Sequence, residues 1–151
     1  KSRILLRIFR KRNMNDTYFT EKIEDMPAEE VRQRQAAFRE MELPRIAVLD
    51  FVYSTSVNVA YEFPELTAIC PMTGLPDTYT AHIRFMPDKF LPELKSLRNY
   101  LLCFRDIPVL HEHLVCRIHE DFSRDIAPGE LDITLDVAVR GGIKTRVSKQ
   151  E

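Results

Sequence analysis

The chain has 151 residues, 44% of them apolar and 30% charged, and this length and composition fit one globular domain rather than two. Lys and Arg total 22 and Asp and Glu total 23, so the formal net charge is −1. A near-neutral charge disfavours a protein that depends on electrostatic contact with nucleic acid. No run of apolar residues approaches the roughly 18 needed to span a membrane, so no membrane-spanning segment is predicted.

Several common site types are not predicted. Three cysteines without CxxC spacing argue against a disulfide framework and a zinc ribbon, and favour a reducing cytoplasm. His111 and His113 lie two apart and do not form an HExxH motif, so no metal site is expected. The chain has only four glycines and contains neither GxGxxG nor GxxxxGK[ST], which excludes a Rossmann or P-loop nucleotide site.

Residues 1–44 are predicted to form an N-terminal arm. Residues 1–13 are basic, and we interpret them as an amphipathic surface segment, with membrane or nucleic-acid contact as the alternative. Arg7 interrupts their apolar stretch, which is not typical of a signal peptide. A helix is predicted to open at Met26-Pro27 and to stop before Pro44.

Residues 45–151 are predicted to form a single α+β domain. Strand patterns cover 45–53, 58–70, 78–87 and 131–149, the last with a kink at Gly141-Gly142, and helical spacing covers 92–106 and 111–126. Apart from the strand over 45–53, and with the last pattern divided at its kink, the resulting order is strand, strand, helix, helix, strand, strand. It favours an antiparallel sheet with helices on one face.

Cys70 and Asp77 flank a turn rich in Pro and Gly. A thiol at a strand end can meet N–H groups or charges that lower its pKa, and a turn that folds back can bring a carboxylate beside it. The alternatives are a buried cysteine and an aspartate that caps the turn.

Two helix starts carry charge. Glu93, Lys95 and Arg98 lie early on the first helix, where the cations could hold a phosphate or simply form a solvated face. Glu112 opens the second helix, either as a surface acid or as a carboxylate that accepts paired N–H bonds from a purine-like ring.

The chain resembles the single-module 7-cyano-7-deazaguanine (preQ0) reductases, the QueF family. The family patterns CPxTGxPD, E(S/L)KSLK(L/Y)Y, FR…HE and RGGI have counterparts in the same order and with similar gaps. The counterparts are Cys70–Asp77, Pro92–Tyr100, Phe104-Arg105 with His111-Glu112, and Arg140–Ile143.

The resemblance implies a tunnel fold, in which ββααββ modules associate into a barrel around a central tunnel. It also implies a homo-oligomer with sites at subunit interfaces, expected to be a decamer of two pentamers. The implied reaction is NADPH-dependent reduction of the preQ0 nitrile to the primary amine preQ1, in queuosine biosynthesis.

The resemblance also implies residue roles. Cys70 would form a thioimide with the nitrile, Asp77 would be the general acid, Glu112 would anchor the deazaguanine ring, and His111 would assist binding or proton transfer. The NADPH motif falls on five residues: Glu93, Leu94, Lys95, Ser96 and Arg98. The family's second lysine is Arg98 here, and its next residue is Asn99.

Two other functions keep the same fold. QueF-like amidinotransferases act on preQ0-modified tRNA and resemble the same family, but they lack the ELKSL-type motif that this chain has. A noncatalytic tunnel-fold binding module would instead require an inert Cys70.

Overall fold

The computed structural model describes residues 28–151. The basic segment 1–13 and the predicted helix opening at Met26-Pro27 lie outside the described residues. The chain divides into two compact units between Met41 and Glu42, and each is described by itself. The predicted boundary between arm and domain, at residues 44 and 45, stays a prediction.

The described part of the first unit is helix α1, Ala28–Arg39, which confirms a helix that ends before Pro44. Its exposed side carries ion pairs at helical spacing, such as Arg34 with Glu30 at 2.7 Å. Exposed pairs of this kind contribute at most about 0.5 kcal/mol each.

The second unit has six strands and two α-helices among its described residues. In chain order they are β1 (Val48–Asp50), β2 (Val59–Ile69), β3 (Pro76–Met86), β4 (Phe90–Pro92), α2 (Leu94–Leu102), α3 (His111–Ile126), β5 (Glu130–Val137) and β6 (Arg146–Gln150). A short 3₁₀ turn, Cys103–Asp106, follows α2. No helix in the part of the chain that the structure describes is long and apolar enough to cross a membrane.

The main sheet is antiparallel, with strand order β2-β3-β5-β6. The four strands of this sheet, with α2 and α3 between β3 and β5, have the predicted order ββααββ. Pro64 has no N–H to donate, and the pairing of β2 with β3 shifts register between Phe63 and Leu66. This irregularity lies near the end of β2 that leads into Cys70.

The core lies between one face of this sheet and α3. Inward residues alternate along β3 and β5, and Ile83 lies opposite Ile133 in the ladder. Phe85 packs edge-on against Phe122 of α3, with ring centroids 5.1 Å apart. Each such fully buried side chain stabilises the fold by about 1.5–3 kcal/mol relative to exposure.

The prediction of a long strand over 45–53 is wrong. Only Val48–Asp50 is strand, and it pairs with β4 in a separate two-stranded ladder. The partner strand has only three residues, so the ladder ends there. Beyond it the apolar run stays exposed, with Val52 at 81% and Tyr53 at 72%.

A buried ionic cluster ties α2 to α3. The Asp121 carboxylate accepts hydrogen bonds from Tyr100 Oη at 2.8 Å, Arg117 Nε at 2.7 Å and Arg124 Nη1 at 2.5 Å. Tyr100 and Asp121 are 0% and 2% exposed. A buried carboxylate is tolerated because its oxygens are bonded and its charge is balanced.

Asp121→Ala is therefore expected to lower the free energy of unfolding by about 3–5 kcal/mol, because buried Arg117 loses this carboxylate. Urea denaturation followed by circular dichroism measures the change. Glu120→Ala is the matched control: Glu120 is exposed and lies 3.7 Å from Lys149, so its loss should cost less than about 0.5 kcal/mol. Equal losses for the two variants would contradict the cluster's role.

His119 on α3 is 0% exposed. Burial lowers the pKa of its imidazole, and the charge of Lys149 lowers it further. The folded state thus binds fewer protons than the unfolded state, so the stabilising contribution is complete above the ordinary histidine pKa of 6.5 and is lost as the pH falls through it.

The free energy of unfolding should fall between pH 7.5 and pH 5.5, and less steeply in His119→Gln, which cannot take up the proton. Urea denaturation across this range measures both slopes. His113→Gln changes an exposed histidine of the same helix and should leave the slope close to that of the unmodified chain. If His119→Gln leaves the slope unchanged, His119 is not its source.

Candidate active site

The turn between β2 and β3 holds the Cys70 thiol in a polar environment. Cys70 N donates to Leu75 O at 2.8 Å and Gly74 N donates to Cys70 O at 2.9 Å. Gly74 adopts φ +70°, a conformation that L side chains rarely take. These bonds close the turn and fold its backbone N–H groups around the sulfur.

The surroundings favour the thiolate form of Cys70. Burial raises the pKa of the thiol, but hydrogen bonds from the Thr73 side chain and from the N–H groups of Thr73 and Met72 lower it, as does the charge of Arg140. The net effect is a pKa below the ordinary value. A lowered pKa distinguishes a reactive cysteine from a structural one.

Asp77 lies at the start of β3 and is 3% exposed. Its Oδ1 accepts a hydrogen bond from Arg140 Nη1 at 2.5 Å. Its Oδ2 is buried and has no hydrogen-bond partner among residues 28–151. The carboxylate therefore has one oxygen held by a cation and one oxygen available to another group.

Arg140 joins the two ends of the turn. Its Nη1 bonds Asp77, its Nη2 donates to Thr73 Oγ1, and its guanidinium also contacts the Cys70 sulfur. A tight turn presents it: Arg140 N bonds Ile143 O at 3.2 Å and Ile143 N bonds Arg140 O at 3.1 Å. The two residues between have positive φ, which only glycines adopt without strain.

His111 and Glu112 reach this site from the start of α3. Tyr79 Oη lies 2.9 Å from His111 Nδ1. Burial raises the pKa of Tyr79, and the negative charges of Asp77, Cys70 and Glu112 raise it further. The buried Tyr79 thus lies close to four of the predicted site residues, Cys70, Asp77, His111 and Glu112.

The predicted cofactor residues form a second cluster at the start of α2. Glu93 caps the helix, with Oε1 accepting from Lys95 N at 2.9 Å and Oε2 from Ser96 N at 2.7 Å. Ser96 Oγ accepts from Ala47 N at 2.8 Å. Three of the predicted residues are exposed, and they are Leu94, Lys95 and Arg98. The role of the cluster in cofactor binding stays a prediction.

Sequence reasoning assigned no role to Thr73, Tyr79 or Arg140. Thr73 and Arg140 stood inside the quoted motifs, so the motifs themselves were the available signal. For Tyr79 the available signal was its spacing of two residues from Asp77, since residues two apart on a strand face the same side.

Comparison with known proteins gives one consistent family. The model of the family described as QueF-like protein matches residues 76–151. A protein of Anaeromyxobacter sp. (strain Fw109-5), named NADPH-dependent 7-cyano-7-deazaguanine reductase, is 46% identical over 91 residues, which cover 60% of this chain and 75% of that protein. A protein of the same name from Elusimicrobium minutum is 36% identical over 103 residues, covering 68% and 78%.

A solved structure supports the fold. The crystal structure of the archaeosine synthase QueF-Like in the apo form superposes with a TM-score of 0.56 at 15% identity, covering 65% of this chain and 94% of that one. At this identity the likeness concerns the fold alone. The family-model match and the two relatives confirm the resemblance read from the motifs: this chain belongs to the QueF-like family.

Proposed function

We propose that this chain reduces the nitrile of 7-cyano-7-deazaguanine to a primary amine with NADPH. The relatives' name supports this reaction, and the chain covers 75% of the Anaeromyxobacter protein that bears it. The observation that carries the proposal is the contact of the Arg140 guanidinium with both the Cys70 sulfur and the Asp77 carboxylate. A nucleophile and an acid that share one cation fit covalent addition to a polar multiple bond.

In the proposed addition, the Asp77 carboxylate first takes up a proton from solvent, the Cys70 thiolate then attacks the nitrile carbon, and the proton passes from Asp77 to the nitrile nitrogen. The carbon–nitrogen triple bond becomes a double bond, and the product is a neutral thioimide. Asp77 Oδ2 is the oxygen suited to carry this proton, because Arg140 already bonds Oδ1. Positioned proton transfer of this kind contributes typically 10²–10⁴-fold to a rate.

Reduction to the amine then takes two hydrides, which bound NADPH would supply in two successive rounds. The first would reduce the thioimide, the carbon–sulfur bond would then break to release the Cys70 thiolate and leave an imine, and the second would reduce the imine. Of the two protons required, one goes to the nitrogen and one protonates Asp77 again.

The start of α2 fits the phosphate groups of NADPH through the exposed cations of Lys95 and Arg98. Glu93 already takes the N–H groups of Lys95 and Ser96, so we assign phosphate contact to the two side chains rather than to the helix terminus.

Glu112 is exposed at the start of α3, and its negative charge raises the pKa of Tyr79. We assign it to the N–H groups of the deazaguanine ring, because a carboxylate can accept two parallel N–H bonds. His111 is assigned to the same substrate or to proton transfer.

We further propose that the sheet closes into a tunnel-fold barrel with copies of the chain, in a decamer of two pentamers. Strands β2 and β6 are the edges of the main sheet, and an unpaired edge is a template for another strand. Exposed apolar residues outside the main sheet, among them Val48 and Leu49 of β1, would be covered in such an assembly.

Mixing the chain with preQ0 without NADPH is expected to give a covalent adduct of the full ligand mass, because addition to a nitrile releases no leaving group. Intact-mass analysis detects it. Cys70→Ala should lose the adduct, and Cys103→Ala should keep it, since the exposed Cys103 thiol donates to the Asn99 carbonyl one helical turn earlier. With NADPH added, two equivalents should be oxidised per amine formed.

An adduct that survives Cys70→Ala would assign the nucleophile to another residue. An adduct without NADPH oxidation would point instead to an amidinotransferase. The absence of both would leave a noncatalytic binding module.

Arg140→Gln is expected to raise the pKa of the Cys70 thiol by removing the adjacent positive charge. Less thiolate would be present at neutral pH, so alkylation of Cys70 by iodoacetamide at pH 7 should slow by about fivefold, while rates above pH 10 should match. The measurement is the pH–rate profile, with the site of modification read by peptide mass mapping.

Arg140→Lys keeps the charge and should retain part of the rate. Arg146→Gln is the matched control, because Arg146 pairs with Asp136 at 2.6 Å and is expected to leave the profile unchanged. Superimposable profiles for Arg140→Gln and the unmodified chain would show that the arginine does not stabilise the thiolate.

A further inference from the structure

Tyr79 is buried inside the candidate site but has no part in the proposed chemistry. It is 2% exposed and follows Asp77 by two residues on the same face of β3. Its ring meets His111 edge-on, with centroids 5.5 Å apart and an interplanar angle of 73°. Its hydroxyl oxygen lies 2.9 Å from His111 Nδ1, a normal hydrogen-bond distance.

The direction of this hydrogen bond follows from the surroundings of the phenol. Burial and the negative charges of Asp77, Cys70 and Glu112 raise the pKa of Tyr79, and Arg140 only partly offsets them. Tyr79 therefore keeps its proton at neutral pH. A buried O–H group needs an acceptor, and the acceptor that the geometry provides is His111 Nδ1.

We propose that Tyr79 is a positioning residue that fixes the tautomer of His111, with the ring proton on Nε2. An imidazole nitrogen that accepts a hydrogen bond carries no proton, so in a neutral ring the other nitrogen must carry it. Nε2 lies across the ring from Nδ1 and is thus turned away from Tyr79. His111 is half-buried, so its Nε2–H is available as a donor.

The consequence concerns the substrate and rests on the proposed function, whereas the tautomer itself does not. A fixed Nε2–H selects an acceptor atom, such as a carbonyl oxygen or an unprotonated ring nitrogen of a purine-like base. The opposite tautomer would offer a lone pair to that acceptor, and a site built around a donor rejects such a mismatch strongly. Tyr79 would then determine which substrate atom His111 recognises and how the substrate is oriented, without itself touching the substrate.

The test is the protonation pattern of the imidazole, read by long-range ¹H–¹⁵N NMR on histidine-labelled protein at pH 7.5. The chain has four histidines, and His111→Asn identifies the signal to assign. The expected result is an unprotonated, hydrogen-bonded Nδ1 and a protonated Nε2. A protonated Nδ1 in the unmodified chain would overturn the inference without any variant.

Tyr79→Phe removes only the hydroxyl and keeps the ring against His111. We expect it to shift His111 toward a mixture of tautomers. It should also lower kcat/KM for NADPH oxidation by roughly tenfold, which corresponds to the loss of one hydrogen bond. Tyr61→Phe is the matched control, because Tyr61 is a half-buried tyrosine of β2 whose ring packs on Phe85.

An unchanged His111 spectrum in Tyr79→Phe would overturn the positioning role. If the unmodified chain shows the expected tautomer but oxidises no NADPH with preQ0, the proposed function fails and the assignment of the tautomer stands. The two failures are therefore distinguishable.

Discussion

The contact between Arg140 and Asp77 joins parts of the chain that are 63 residues apart, and the candidate site depends on it. The sheet register brings the two together. Tyr79 lies opposite Val137 in the β3–β5 ladder, and Ala138 N continues the pairing with a 2.9 Å bond to Thr78 O. Arg140 then leaves the ladder beside Asp77, where a two-glycine turn reverses the chain. A shift of one residue in this pairing would turn the arginine to the other face of the sheet.

This arrangement also suits the charge movement in the proposed addition. Once Asp77 has taken up the proton for the addition, the negative charge of the pair is on the Cys70 sulfur. After the addition, the sulfur is neutral and the charge is on Asp77, which has given up its proton. Arg140 contacts both groups, so the same cation balances the charge at the start and at the end. Groups that are already in place for charge that develops later need no reorganisation, which is the main electrostatic advantage of an active site.

Much of this organisation could be predicted from the sequence, for physical reasons that differ by element. Alternation in 78–87 and 131–137 is strong because one sheet face packs on α3, so these two strands were predicted correctly. The strand over 45–53 was predicted wrongly. Composition indicates a residue's preference for extended backbone, but it does not indicate whether a partner strand is long enough to pair with the whole segment. The roles of Arg140 and Tyr79 depend on contacts across the sheet and with α3, which periodicity along one segment does not contain.

The start of α2 illustrates why a motif does not by itself separate binding from architecture. Glu93 caps the helix, and Ser96 Oγ holds the backbone of Ala47, so both fix where the helix begins. Lys95 and Arg98 make the exposed charge on that same turn. Loss of the cap typically costs about 1 kcal/mol and would displace the two cations along with the helix start. In the proposed cofactor motif, Lys95 and Arg98 would therefore present charge to a phosphate, and Glu93 and Ser96 would determine where that charge is held.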